Sequence, residues 1–362
     1  MNRSQLTRKI ERKKQKMKKA SEEKMDEKAR MHEMGENILM KVLKRDDVKQ
    51  LQSLPKEWRE ALVPKESKDG MKLFEKMNDI DRRCHAYLSN SNNSGRIPDD
   101  LYNEFDNILR TECKNMFSSR IQMYEKCLKD ESSNAYREIV NLLNHLEKLY
   151  HTSYNGAFET QISMGDDEGL KAWQDFVRDV AQPRGLLSGK TMHQSATELT
   201  LILEHAMKIL TRYQDVMRKI ASETGGIFNA APLKRSYRAF EKAAMRPDVK
   251  NRFVCDNVYD VVRGALVYED MAGAVRGAKA LCECKDIVLE RMKDRFSPGH
   301  ESSGGWRDAM FNGYLKSDRA HHRFEVQIHH KSLLFVRQNL GGHYIYAKFR
   351  ALNEALEVVG KK

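Results

Sequence analysis

The sequence predicts an α+β protein, an all-helical region followed by a C-terminal mixed β-sheet with flanking helices. Three observations predict it. From about residue 36 to 222, apolar residues recur at spacings of three and four. At Thr224-Gly225-Gly226 that texture stops. Beyond about residue 230, short runs rich in Val, Tyr, Phe and Ile alternate with helical stretches. The expected organisation is therefore a basic tail at 1–35, a helical bundle or array at 36–222, and an α/β unit at 230–362.

Residues 1–35 are dense in Lys, Arg, Glu and Met, with few apolar residues to bury. They read as a solvated or partly disordered helical tail. The sharper alternative is a nuclear-import or RNA-contact arm. In the helical region, Leu101, Phe105, Ile108 and Leu109 share a face, as do Ile139, Leu142, Leu143, Leu146 and Leu149. Breaks fall at Leu54-Pro55, around 89–95, at Gly165-Asp166-Asp167, and at Gln182-Pro183-Arg184-Gly185. Gly225 and Gly226 read as a helix C-cap and linker. After them, Ser236–Met245 reads as helix, Val258–Tyr268 as a buried strand, and Met271–Cys282 as helix. Asp286–Phe296, Trp306–Leu315 and Arg323–His329 read as strands. Leu333–Val359 reads as helix with a break at Gly341-Gly342.

The chain has 362 residues, 40% of them apolar and 32% charged, with a net charge of +12. The apolar share is enough for a core, and the positive surplus attracts polyanions such as nucleotides, RNA or anionic lipid. Cys84, Cys113, Cys127, Cys255, Cys282 and Cys284 show no CxxC spacing, which argues for reduced thiols and against a structural zinc site. No apolar run is long enough to cross a bilayer, and no apolar stretch follows the basic N-terminus as in a secretory signal. The expected location is intracellular and cytoplasmic, or nuclear if the basic arm acts as an import signal.

Candidate chemistry gathers in the C-terminal third. Lys234, Arg235, Arg238 and Lys242 form a cationic cluster, and on a helix Lys234, Arg238 and Lys242 would share one face. Fixed cations suit a triphosphate, and guanidinium groups suit bidentate phosphate contacts. Asp260 and Glu325 each sit in a strand-like apolar run. A carboxylate buried in such surroundings is costly unless paired or metal-bound, and Mg2+ prefers such hard oxygen ligands. Glu325 could also take the proton of an attacking hydroxyl. Each feature has a plainer account. A cationic helix face is commonly just solvated, Glu325 could face water by alternation, and Gly304-Gly305 could be only a turn. His321, His322, His329 and His330 invite a metal reading, but adjacent histidines in a strand point to opposite faces.

Taken in order, these blocks resemble the RelA/SpoT family of alarmone synthetases over about 125 residues. Those enzymes transfer pyrophosphate from ATP to the 3′-hydroxyl of GDP or GTP. Lys234 and Lys242 match the two lysines of the family's ATP-binding block, and Asp260 matches its magnesium-binding Asp. Trp306, in Gly305-Trp306-Arg307-Asp308, falls where the family has a tyrosine that stacks on the acceptor base. Glu325-Val326-Gln327-Ile328 matches the strand carrying the catalytic and metal-binding Glu. His343 and Lys348 resemble the closing helix. The resemblance implies a nucleotidyltransferase-like fold, an ATP-Mg2+ site on Lys234, Arg238, Lys242, Asp260 and Glu325, and phosphate contacts from Arg295 and Arg307. Arg235, Gln327 and His343 join the expected nucleotide-binding set. The acceptor would be GDP, GTP or an RNA 3′ end. A catalytically inactive nucleotide-binding scaffold with a helical partner-binding region is the alternative. The chain departs from the family pattern at Pro232, Arg263, Asp308 and Met310, which bears on guanine recognition more than on triphosphate binding. No His-Asp pair of the family's hydrolase half occurs in the N-terminal region.

Overall fold

The computed structural model describes residues 67–90, 95–159, 162, 165–245, 252–302, 305–339 and 342–361, without the side chains at 149, 150, 153, 339 and 342–348. The expectations at 1–35, Leu54-Pro55, Gly304, His343 and Lys348 lie outside what is described.

The helical region begins with α1 (Lys68–Ser89), whose N-terminal amide at Gly70 is capped by the Ser67 hydroxyl at 3.0 Å. Leu73, Met77, Ile80 and Cys84 form its buried stripe. Next come α2 (Asp99–Asn107) and α3 (Lys114–Leu128), joined through a π-wound segment, Ile108–Cys113. They are followed by α4 (Asn134–Phe158), α5 (Asp167–Phe176) and α6 (Leu199–Thr224). α6 ends at Gly225 with φ 74°, a left-handed C-cap that a side chain would strain. The expected breaks around 89–95, 165–167 and 182–185 all separate elements.

The C-terminal region holds β1 (Ile227–Ala230), α7 (Ser236–Ala244), β2 (Val262–Tyr268), α8 (Met271–Glu283), β3 (Ile287–Asp294), β4 (Ala309–Leu315), β5 (Arg323–His330), α9 (Lys331–Asn339) and α10 (Gly342–Val358). The five strands form one sheet in the order β1-β2-β5-β4-β3. β2 and β5 run parallel and the other neighbours antiparallel, so the sheet is mixed. The protein is thus α+β, as the sequence predicts.

Two differences have clear causes. β1 has only four residues, mostly exposed, so it lacks the apolar alternation that marks a strand. β2 starts at Val262 and not at Val258, because the preceding segment pairs elsewhere. Cys255 donates its amide to the Thr197 carbonyl at 3.0 Å, the Tyr259 hydroxyl donates to the Met192 carbonyl, and Lys234 donates its amide to the Val261 carbonyl at 3.0 Å.

One sheet face carries Leu266, Tyr268, Phe324, Val326, Ile328 and Phe311, all buried. α6 and α8 cover it, and α5 packs behind α8. Tyr213 of α6 lies 4.9 Å from the Phe324 ring. A single buried cluster joins the helical region to the sheet, running in sequence from Leu73 to Val358. Among the described residues, no helix is long and apolar enough to cross a membrane.

Candidate functional site

The other sheet face is polar, and strand alternation explains why. On β5, Glu325, Gln327 and His329 point one way while Phe324, Val326 and Ile328 point into the core. Register then lines up Arg263 of β2, Glu325 of β5, Asn312 of β4 and Arg291 of β3 in one row across the sheet. Gln327, Met310 and Lys293 form the next row.

Asp260 sits in the loop just before β2, at the edge of this face. Lys234 Nζ lies 2.5 Å from its Oδ2, and Lys242 Nζ lies 2.9 Å from its Oδ1. Arg263 Nη1 is 4.0 Å from Oδ2. Lys242 arrives on α7, whereas Lys234 arrives on the loop before it. Arg235 at the start of α7 offers no side-chain cap. Asp81 of α1 supplies one instead, accepting from the Ser236 amide at 3.0 Å and from the Ser236 hydroxyl. The helical region therefore anchors the element that delivers Lys242.

Both carboxylates are buried, each 8% exposed. Burial alone would raise Asp260, but the Lys242 and Lys234 ammonium groups overturn that and hold its carboxyl well below the usual range. Glu325 moves the opposite way. Burial raises it, the Asp260 charge raises it further, and Lys242, the Gln327 hydrogen bond and Lys234 only partly offset this. Burial also pulls the Lys234 ammonium down to about 8, against the opposing pull of Asp260. Two acids with divergent protonation, beside two lysines, share one desolvated corner.

A polar chain leads from this corner along β5. Gln327 Nε2 donates to Glu325 Oε1 at 2.7 Å, and Gln327 Oε1 faces His329 Nε2 at 3.0 Å. Because the amide nitrogen of Gln327 is the donor toward Glu325, its oxygen is an acceptor. That assigns the proton of His329 to Nε2. Burial keeps His329 neutral, with its pKa pulled down to about 4. Its ring lies 5.5 Å from Trp306. The Trp306 indole donates to Asp308 Oδ2 at 2.8 Å, and Arg295 Nη1 donates to Asp308 Oδ1 at 2.5 Å. Tyr154 of α4 meets the Trp306 ring edge-on at 5.2 Å, and the Arg337 guanidinium of α9 lies 4.5 Å from its centre. His329 lies four residue steps beyond Glu325 on β5, so the aromatic cluster lies about 13 Å along the strand from the acids.

The structure brings together Lys234, Lys242, Asp260, Glu325 and Gln327, and sets Trp306 and Arg295 beyond them. Other expectations need correction. Lys234, Arg238 and Lys242 form no common helix face, because α7 starts at Ser236 and leaves Lys234 outside it. Arg238 faces Glu241 and, at 3.4 Å, Glu354 of α10. Arg235 turns to α1, 3.4 Å from Asn78 and over the Phe74 ring. Arg307 is buried, 3.8 Å from the centre of the Phe158 ring and 3.3 Å from Glu301. These three arginines hold helices and loops together and do not face the acids. In the sequence, Arg263 stands out only as a departure from the family pattern. Its place beside Asp260 and opposite Glu325 depends on the β2–β5 register, which no local signal carries.

Among the described residues, no three His, Cys, Asp or Glu side chains converge as a metal site. A divalent ion here would therefore rest on Asp260 and Glu325, with its remaining ligands from phosphate and water, as Mg2+ usually has. The donor set fits. Each Asp260 oxygen keeps a second lone pair beyond its lysine, and a metal would offset both the burial and the Asp260 charge that raise Glu325. No protein-family model matches the chain, and it has no significant match among curated proteins.

Proposed function

We propose that this polar face binds a magnesium nucleoside triphosphate and that the protein is a nucleotidyltransferase-type pyrophosphokinase, similar in reaction to the RelA/SpoT alarmone synthetases. The observation supporting this most is the buried corner where Lys234 and Lys242 pair with Asp260 and the Glu325 carboxyl lies within reach of all three charges. Lys234 and Lys242 would neutralise the phosphates, and Asp260 and Glu325 would hold Mg2+. The ion, when bound, supplies charge neutralisation at the phosphate oxygens. Glu325, with its raised proton affinity, accepts the proton of an acceptor 3′-hydroxyl. That oxygen bonds to the β-phosphorus, the bond from the β-phosphorus to the oxygen it shares with the α-phosphate breaks, and AMP leaves with that oxygen. Labelled ATP and Mg2+ incubated with GDP, GTP or tRNA should release AMP. Glu325→Gln should slow the release by about 10²- to 10⁴-fold. Absence of release with every acceptor would count against transfer.

One observation favours a second reading, a nucleotide-binding scaffold without transfer. Tyr154, His329 and Arg337 already surround the Trp306 ring, so an acceptor base must displace one of them to stack there. Calorimetry with a non-hydrolysable ATP analogue separates binding without turnover from no binding.

A further inference from the structure

We infer that Gln194, contributed by the connection between α5 and α6, is a positioning residue that sets the spacing of the Asp260 and Glu325 carboxylates. This inference rests on the metal-triphosphate reading of the site. The parallel ladder between β2 and β5 begins only at the Val262–Phe324 pair. Asp260 lies ahead of it, so no rung fixes its loop to β5. The Gln194 side chain supplies the missing link. Its Nε2 donates to the Val258 carbonyl at 3.0 Å and to the Arg323 carbonyl at 3.1 Å, and its Oε1 accepts from the Arg323 amide at 2.8 Å.

The two residues bridged are each two positions before an acid, Val258 before Asp260 and Arg323 before Glu325. A carboxamide has the donor and acceptor of a peptide group, so Gln194 acts as an added rung at the point where the two acid-bearing segments diverge. The side chain is itself fixed. Gln194 is buried, its backbone amide donates to the Asp256 carbonyl at 2.6 Å, and Met192 and Thr197 on either side accept from Tyr259 and Cys255. It touches neither carboxylate, so its effect reaches a metal only through their separation.

The test measures affinity for a non-hydrolysable ATP analogue with and without Mn2+, by calorimetry, in the full chain. Gln194→Met keeps length and removes both polar functions. If it folds, with a melting temperature near that of the wild type, the Mn2+-dependent gain in affinity should shrink by about ten-fold or more, as for residues that orient metal ligands. Metal-free affinity, which depends on the lysines, should stay within about two-fold. Amide exchange at Arg323 should accelerate while that at Val326 does not. Should Gln194→Met fail to fold, Gln194→Asn, one methylene short, is read by the same measurements. An unchanged Mn2+ gain in a folded variant, or equal loss of both affinities, overturns the inference. A wild-type protein with no Mn2+-dependent gain fails the metal reading itself, and the inference with it, which is a different result from failure in the variants alone.

Discussion

Asp260 and Glu325 occupy the same desolvated corner and contribute to folding with opposite sign. Asp260 is held below its ordinary 3.8, so its ionisation favours the fold above that pH, and the contribution disappears as pH falls below it. Glu325 is raised above 4.5, so its charge opposes folding at neutral pH. Asp260→Asn should therefore destabilise by about 3 kcal/mol, because it takes the ion-pair partner from the buried Lys234 ammonium. Glu325→Gln should instead stabilise by about 1 kcal/mol while slowing transfer, since it removes a buried charge and its repulsion by Asp260 and keeps the Gln327 contact. Denaturant unfolding at pH 7 reads both signs. On the proposed function, Lys234 sets how nucleotide binding should depend on pH. With its pKa pulled down to about 8, it loses its charge across the range where a solvated lysine keeps it. Metal-free affinity for the ATP analogue should fall between pH 7 and 9. Lys234→Arg should flatten that profile, because guanidinium stays charged.

At the level of elements, α7 shows how the helical region shapes the site. Its first turn is capped by Asp81 of a distant helix, and its last turn carries Lys242. Asp81→Ala should cost about 1–2 kcal/mol of stability and weaken nucleotide binding, measured by melting and calorimetry. β2 has a close approach of its own. A Cβ at Gly264 would lie 2.4 Å from the Phe228 ring of β1 and 3.1 Å from the Tyr213 hydroxyl. Gly264→Ala should cost about 1–3 kcal/mol, and less in a Phe228→Leu background, where the ring no longer blocks it. α8, β3, β5 and the helical stripes were legible in the sequence, because apolar period and local caps specify them. β1 was not, being short and exposed. The start of β2 was not, because residues 255–259 pair with residues 192–197 and not with the sheet.

Across the whole molecule, the helical region and the sheet share one core and several buried polar contacts. Arg120 of α3 meets Glu241 of α7 at 2.9 Å, and the Trp173 indole of α5 donates to Asp294 at the end of β3 at 3.0 Å. The Tyr213 hydroxyl donates to the Glu325 carbonyl at 2.9 Å. A fragment of residues 226–362 would keep the strands but lose the α6 cover and expose Phe324, Val326 and Leu266. It should show no cooperative unfolding transition by calorimetry, and should bind 8-anilinonaphthalene sulfonate, whereas the full chain melts as a unit.

The α+β class, most helix and strand positions, and the residue types from which a phosphate and metal site could be built are all legible in the order of amino acids. These follow from local periodicity, capping and charge, which act over a few residues. Tertiary structure decided which charges meet. Lys234, Lys242, Asp260 and Glu325 converge, while Arg235, Arg238 and Arg307 turn to other partners. The choice depends on where α7 begins, on the parallel β2–β5 register and on which groups lose water, and those are set by contacts between segments far apart in the chain.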